Sequence, residues 1–374
     1  MSARPYCQAA LYAPGSRPPI TTSSVSRTGP RPSEVQSRHV KPVVSVIVTT
    51  YNQARYIGAT LRSALAQDFA DREIIVVDDG STDETPAAIA EFQHFVIWVR
   101  QENQGVAGSR NSGVRRARGE FLAFLDGDDL WEPRKLSAQV AAARQHPSSG
   151  LVVADGVQCN DEYSVLQTSL IAPPIKALLG SSESVTLRCY DHLLAQNVIS
   201  TSSQILIPRA VLDDVGPSDM HMSNASDWDL YLRIAARYDV TFLRDALVRW
   251  RYLPTSVSGP EALRKMRWAA DEIGVLGKQL RNAAPQYPPM IRALIKARIF
   301  ERGYAIYCHG MDADRAFARR QLLRMLRQMP SSATISAFLV GIHLPRKVNR
   351  HLKRFARPLV GPEARNQQRN GEHL

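Results

Sequence analysis

Asp126, Asp128 and Asp129 crowd together in Gly119-Glu120-Phe121-Leu122-Ala123-Phe124-Leu125-Asp126-Gly127-Asp128-Asp129-Leu130-Trp131. Carboxylates this close repel one another unless protons or a cation neutralise them. The apolar run before them has strand character, and a buried strand brings its last residues to a sheet edge where ligands sit. Oxygen ligands suit a hard divalent ion, and such an ion suits a phosphorylated substrate. The competing reading is a polar turn in which one Asp caps the helix that Leu130-Trp131-Glu132-Pro133 leads into.

Several elements must position this cluster. Val43–Thr50 is β-branched and ends in the polar turn Tyr51-Asn52-Gln53, which predicts a buried strand. Ile57, Leu61, Ala64 and Leu65 recur at helical spacing. Glu73–Asp79 predicts a second strand, and Ser81-Thr82-Asp83-Glu84 has the form of a capping box before a helix over 87–92. Phe95–Val99 and Glu120–Leu125 predict further strands. Strands alternating with helices imply an α/β fold with a mostly parallel sheet and helices on both faces. Tyr51, Asp79 and Asp126 each follow a strand, so they should converge on one crevice. Later strands are expected at 151–155, 204–208 and 240–243, around a long insert at 156–203. From Pro260 the pattern is helical and Arg-rich. The expected organisation is a Pro/Ser/Arg-rich tail over 1–41, an α/β domain over 42–258 and a basic helical extension over 259–374.

Four strings now carry a resemblance: Val-Ser-Val-Ile-Val-Thr-Thr-Tyr-Asn at 44–52, Val-Val-Asp-Asp-Gly-Ser-Thr-Asp-Glu-Thr at 76–85, Asn-Gln-Gly-Val-Ala-Gly-Ser-Arg-Asn-Ser-Gly at 103–113, and Phe-Leu-Asp-Gly-Asp-Asp-Leu-Trp at 124–131. In this order and spacing the chain resembles the family 2 inverting glycosyltransferases of the GT-A fold, over roughly residues 42–255. The resemblance implies transfer of a single sugar from a nucleotide-diphosphate sugar to an acceptor hydroxyl, in cell-surface polysaccharide or glycolipid synthesis. It maps the family's DxD element onto Asp126-Gly127-Asp128. Asp126 would hold the ribose, and Asp128 and Asp129, with the diphosphate, would hold Mg²⁺ or Mn²⁺. Thr49, Tyr51 and Asp79 would form the nucleoside end. Tyr51 would stack on the base, and Asp79 would accept from a ring N–H, which favours UDP or dTDP donors. Arg110, in a Gly-rich turn before a helix, suits the diphosphate.

An inverting transfer also needs a base, which the resemblance places at Asp227 in Ala225-Ser226-Asp227-Trp228-Asp229-Leu230. Ser226 replaces the family's usual first acid. Ser226 and Asp227 would equally serve as helix caps, and Asp229 is a weaker rival base. Leu253 stands where relatives often carry a metal-reaching His. Ala246–Trp250 lacks the Gln of processive synthases, which favours single-sugar addition. Two other readings are a sugar-1-phosphate nucleotidyltransferase and a non-catalytic nucleotide-sugar-binding module. The first wants an Arg-containing Gly-rich loop after the first strand, where Thr50-Tyr51-Asn52-Gln53 stands instead.

Net charge is +12, carried mostly by the ends: six Lys/Arg against one Glu in 1–41, and eight against two in 344–374. A near-neutral body argues against a nucleic-acid partner. Arg346–Arg357 places Val348, Leu352 and Phe355 on one helical face, read either as a basic amphipathic helix on an anionic membrane or as a solvated tail. Cys7, Cys159, Cys189 and Cys308 form no CxxC pair, which fits reduced thiols rather than zinc or a disulfide scaffold. No apolar stretch reaches the length of about 18 residues that spans a bilayer. The expected partners are a nucleotide-sugar donor and a glycan or lipid-linked acceptor. The expected location is cytoplasmic, soluble or peripheral to the inner membrane face.

Overall fold

The computed structural model describes residues 41–222, 224–253, 261–312 and 314–343. The tail expected over 1–41, Lys41 apart, the expected boundary at 258 and the basic segment at 346–357 lie outside the described residues. The first half runs β1 (Val44–Thr50), α1 (Ala54–Leu65), β2 (Arg72–Asp78), α2 (Thr85–Ala90), β3 (Ile97–Arg100), α3 (Gly105–Arg116) and β4 (Phe121–Asp126). Then come β5 (Leu130–Trp131), α4 (Lys135–Gln145), β6 (Ser149–Cys159), β7 (Val165–Gln167), α5 (Pro173–Leu179), β8 (Ser184–Leu187) and α6 (Tyr190–Ala195). A 3₁₀ turn (Ser202–Gln204) leads into β9 (Ile205–Pro208), α7 (Arg209–Val215), α8 (Ser226–Ala235) and β10 (Asp239–Arg251). Four helices follow: α9 (Glu261–Asn282), α10 (Pro288–Asp312), α11 (Arg315–Gln328) and α12 (Ala333–His343).

The strands form one sheet in the order β3-β2-β1-β4-β9-β6-β10-β5, with β7 beside β6 and β8 beside β10. β3, β2, β1 and β4 are mutually parallel, and β9 runs antiparallel between β4 and β6. The chain builds outward from β1 through β2 to β3, then returns to place β4 on the other side of β1. This reversal opens a crevice beyond the carboxyl ends of β1 and β4.

Side-chain alternation on β1 shows why the sheet is covered on both faces. Ile47 joins one apolar cluster, while Val44, Val46 and Val48 join the other with Ile57 and Leu61 of α1 and Leu136 of α4. The Ile47 face extends through Phe124 and Tyr231 to Ile273, Leu276 and Ile299. Helices α9 to α12 thus share the core of the sheet.

Two local expectations differ from the structure. Ser81–Glu84 makes no capping box; Glu84 precedes α2 without a side-chain cap. Ser81 and Thr85 instead accept hydrogen bonds from the β1–α1 loop, through Asn52 N at 3.0 Å and Gln53 N at 2.8 Å. Leu130-Trp131 is a short strand rather than a turn, because Val248 and Arg249 of β10 pair with it. The insert at 156–203 contains β7, α5, β8 and α6. Among the described residues, no helix is long and apolar enough to cross a membrane.

α3 reaches the sheet through Gly113. A Cβ there would lie 3.3 Å from Ile47 Cγ1 and closer still to Cγ2. Gly113→Ala is therefore expected to lower stability by about 1–3 kcal/mol through overpacking. Urea unfolding should show a lower midpoint at unchanged slope.

Candidate active site

Seven of the eight residues singled out in the sequence line one cavity of about 460 Å³: Thr49, Tyr51, Asp79, Arg110, Asp126, Asp128 and Asp227. Backbone bonds fasten its floor to the end of β1. Thr49 faces Asp126 in the sheet register, Gly127 N donates to Thr49 O at 2.9 Å, and Asp79 N donates to Thr50 O at 3.0 Å. Gly127 packs so close that a Cβ would lie 2.8 Å from Thr50 Cβ. Only glycine lets the acidic loop approach β1 this closely.

Tyr51, 47% exposed, sits on a loop held by Asn52 in the left-handed region (φ 53°). Asn52 Oδ1 accepts from Thr82 N at 2.8 Å, so the segment expected to cap a helix instead braces Tyr51. Asp79 is buried. Its Oδ1 accepts from Gln101 Nε2 at 2.7 Å and Gln104 N at 2.9 Å. Both bonds fall on one oxygen, which orients the other for a ligand.

The three acidic residues have different surroundings. Asp126 pairs with Arg110 Nη2 at 3.0 Å and accepts from Ser202 Oγ at 3.1 Å. Arg110 is thus engaged by Asp126, a pairing the sequence does not reveal. Burial pulls its guanidinium pKa down, but Asp126, Tyr231 and Asp227 outweigh this and raise it. Asp129 does not line the cavity, contrary to the sequence expectation of a metal ligand. It is 1% exposed; its Oδ2 accepts from Ser203 at 2.5 Å and faces Thr201 Oγ1 at 3.1 Å, and its Oδ1 accepts from Arg251 N at 3.0 Å. Burial, then Asp128 and Asp126, push its carboxyl well above the usual range. Asp128 lines the cavity. Burial and then Asp126 push it up to about 6.

Among the described residues, no group of three or more His, Cys, Asp or Glu could hold a metal ion. Magnesium-type ions often take one or two carboxylates and complete their shell with substrate phosphates and water. Asp128, with Asp126 beside it, fits that arrangement, and its raised proton affinity shows a site short of positive charge. Leu253, at the expected His position, adds an apolar wall.

The residues that organise this acidic pair escaped the sequence reading. Thr201, Ser202 and Ser203 precede β9 inside the insert. Their backbone is clamped from below: Trp131 Nε1 donates to Ser203 O at 2.9 Å, and Gln139 Nε2 donates to Gln204 O at 2.7 Å. Lys135 Nζ lies 3.8 Å from the centroid of the Trp131 ring and 3.5 Å from Ile205 O, and burial lowers its pKa well below the ordinary value. Arg251 Nε donates to Asp128 O at 3.0 Å, with its guanidinium over the rings of Tyr56 (4.4 Å) and Tyr163 (4.6 Å). A Thr-Ser-Ser run just before a strand was the available signal.

Asp227 opens α8 but does not cap it. The cap position is Ala225, without a side-chain bond, and Asp227 Oδ1 accepts from its neighbour Trp228 N, at 2.7 Å. Burial raises its pKa, and Arg110 partly offsets this. Asp229 is fully buried against Arg233 and Lys278, each at 2.9 Å, which removes it as a rival base.

The fold agrees with solved GT-A structures. The fold matches S. aureus TarS (residues 1–349, in complex with UDP-GlcNAc) at TM-score 0.57 and 19% identity, covering 84% of this chain and 92% of that one. It matches the mannosyltransferase PcManGT from Pyrobaculum calidifontis, in complex with GDP-Man and Mn²⁺, at 0.50 and 20%, covering 85% and 86%. An uncharacterized glycosyltransferase of Rickettsia typhi is 27% identical over 82% of this chain and 98% of its own length. One of Nostoc sp. is 36% identical over 37% of this chain, which spans 44% of that relative. Residues 45–207 match the family described as Glycosyl transferase family 2. That span is a Glycosyl transferase family 2 domain, and with the glycosyltransferase-named relatives it indicates a glycosyltransferase.

The strain on Asp128 is testable without any ligand. A carboxyl raised in the fold favours folding below its unfolded pKa and loses that contribution as pH rises through about 6. In chelator, Asp128→Asn should stabilise the protein by about 1–2 kcal/mol at pH 7.5; the gain should fall by about half at pH 5 and vanish only below the unfolded value of 3.8. Urea midpoints at the two pH values check this.

Proposed function

We propose that the cavity binds a nucleotide-diphosphate sugar and transfers its sugar, with inversion, to an acceptor hydroxyl. One observation carries the reading: an acid without a capping role, Asp227, shares a cavity with the acidic loop residues Asp126 and Asp128. The wall of Thr49, Tyr51 and Asp79 takes the nucleoside. Tyr51 offers a ring face to the base, and Asp79 Oδ2 accepts from a pyrimidine N–H, which favours UDP or dTDP donors. Asp126, fixed by Arg110 and Ser202, holds the ribose. Asp128 and the diphosphate hold Mg²⁺ or Mn²⁺, which as a Lewis acid stabilises charge on the leaving diphosphate.

The acceptor oxygen attacks the anomeric carbon opposite the diphosphate. Its proton passes to the Asp227 carboxylate as the bond to the leaving oxygen breaks. Burial raises the proton affinity of Asp227 above that of an exposed Asp, and Arg110 partly offsets the rise. The comparisons support the donor class through TarS and PcManGT, whose complexes hold UDP-GlcNAc and GDP-Man.

Asp227→Asn should cut transfer by about 10²–10⁴. Affinity for UDP with Mn²⁺ should stay within about twofold, because the residue meets the acceptor rather than the donor. Transfer kinetics alongside calorimetric UDP binding check this. A variant that keeps its activity would remove Asp227 from the mechanism.

A further inference from the structure

Helix α9 lies outside the span matched by the family, yet it contributes Trp268 to the cavity. Its placement follows from polar ties along one stripe of the helix. Asp271 accepts from both Asn224 N and Asn224 Nδ2 at 2.9 Å. Two turns further on, Lys278 bonds Asp219 and the buried Asp229 of α8, each at 2.9 Å. Trp268, Asp271, Val275 and Lys278 recur at helical spacing, and Val275 is fully buried. Trp268 therefore stands one turn before the residue that fastens Asn224, and Asn224 stands three residues before Asp227. The indole lines the same cavity as the base.

Trp250 on β10, Leu253 just after it, and Asn224 and Ser226 beside Asp227 line the cavity with Trp268. The only Lys or Arg side chains among the described lining residues are Arg110 and Arg251. The first pairs with Asp126; the second donates to Asp128 O and Tyr163 Oη. A phosphate acceptor would arrive charged, would ask for an uncommitted cation and would need no base. An aromatic face, an amide and a carboxylate together suit a neutral ring with one C–H face and a hydroxyl edge.

Resting on the donor reading above, we infer that Trp268, with Trp250, forms an acceptor subsite that takes a pyranose ring and presents one of its hydroxyls to Asp227. The acceptor is then a glycan, and α9 is part of the catalytic cavity rather than an appendage. The donor half falls within residues 45–207 and the acceptor half beyond them.

Saturation-transfer NMR on the full chain tests this, with UDP, dTDP or GDP, Mg²⁺, and the methyl glycosides of glucose, galactose, mannose and N-acetylglucosamine as probes. For wild type, ring C–H protons of at least one glycoside should receive saturation. Trp268→Leu, which keeps apolar bulk without a ring, should lower that signal at least fivefold, and Trp268→Phe should keep more than half of it. Nucleotide signals should stay within twofold in all three proteins, which also shows that the variants fold. The subsite is overturned if the nucleotide binds wild type and no glycoside does, or if Trp268→Leu leaves the glycoside signal unchanged. If none of the nucleotides binds wild type, the donor reading fails and the subsite falls with it.

Discussion

Crowding of negative charge at the end of β4 is the constraint on which the site depends. Three carboxylates within four positions cannot all be ionised in a partly dry crevice without compensation. The fold compensates two of them internally. Asp129 is buried under hydroxyls and a backbone N–H, and Asp126 is paired with Arg110 and Ser202. Asp128 faces the cavity, where burial and Asp126 push its carboxyl up to about 6. The acidic loop is a graded device: one residue anchors, one orients, and one is left to bind.

This grading explains the supporting structure. The Thr201–Ser203 hydroxyls must be held rigidly to serve two carboxylates at once, and Trp131, Lys135 and Gln139 hold their backbone. Arg251 ties the end of β10 to the backbone of Asp128 and to Tyr163 of the β6–β7 connection. A long insert and a bent final strand are thus brought back to a loop far away in sequence. The same logic extends to α9, which fastens the segment before Asp227 through Asp271.

The first half of the fold was legible because its signals are local. β-branched runs mark β1 and β2, and Tyr51, Asp79 and Asp126 each follow a strand, so their convergence follows from parallel topology. Roles that depend on distant partners were not legible. Asp129 looks identical to Asp128 in sequence, and only contact with residues more than 70 positions away makes it an anchor. Ser81 to Glu84 has the form of a capping box, but Asn52 and Gln53 compete successfully for Ser81, Thr82 and Thr85. Trp268 carried no signal at all, because nothing in a helical, Arg-rich segment says that one indole will reach a cavity.

The central claim is that Asp128, and not Asp129, is the carboxylate left for a metal–diphosphate. Calorimetric titration of UDP with and without Mn²⁺ into wild type, Asp128→Asn and Asp129→Asn tests it most directly. Mn²⁺ should tighten UDP binding at least tenfold in wild type and in Asp129→Asn, and by less than twofold in Asp128→Asn. Metal dependence that survives in Asp128→Asn and is lost in Asp129→Asn would contradict the account.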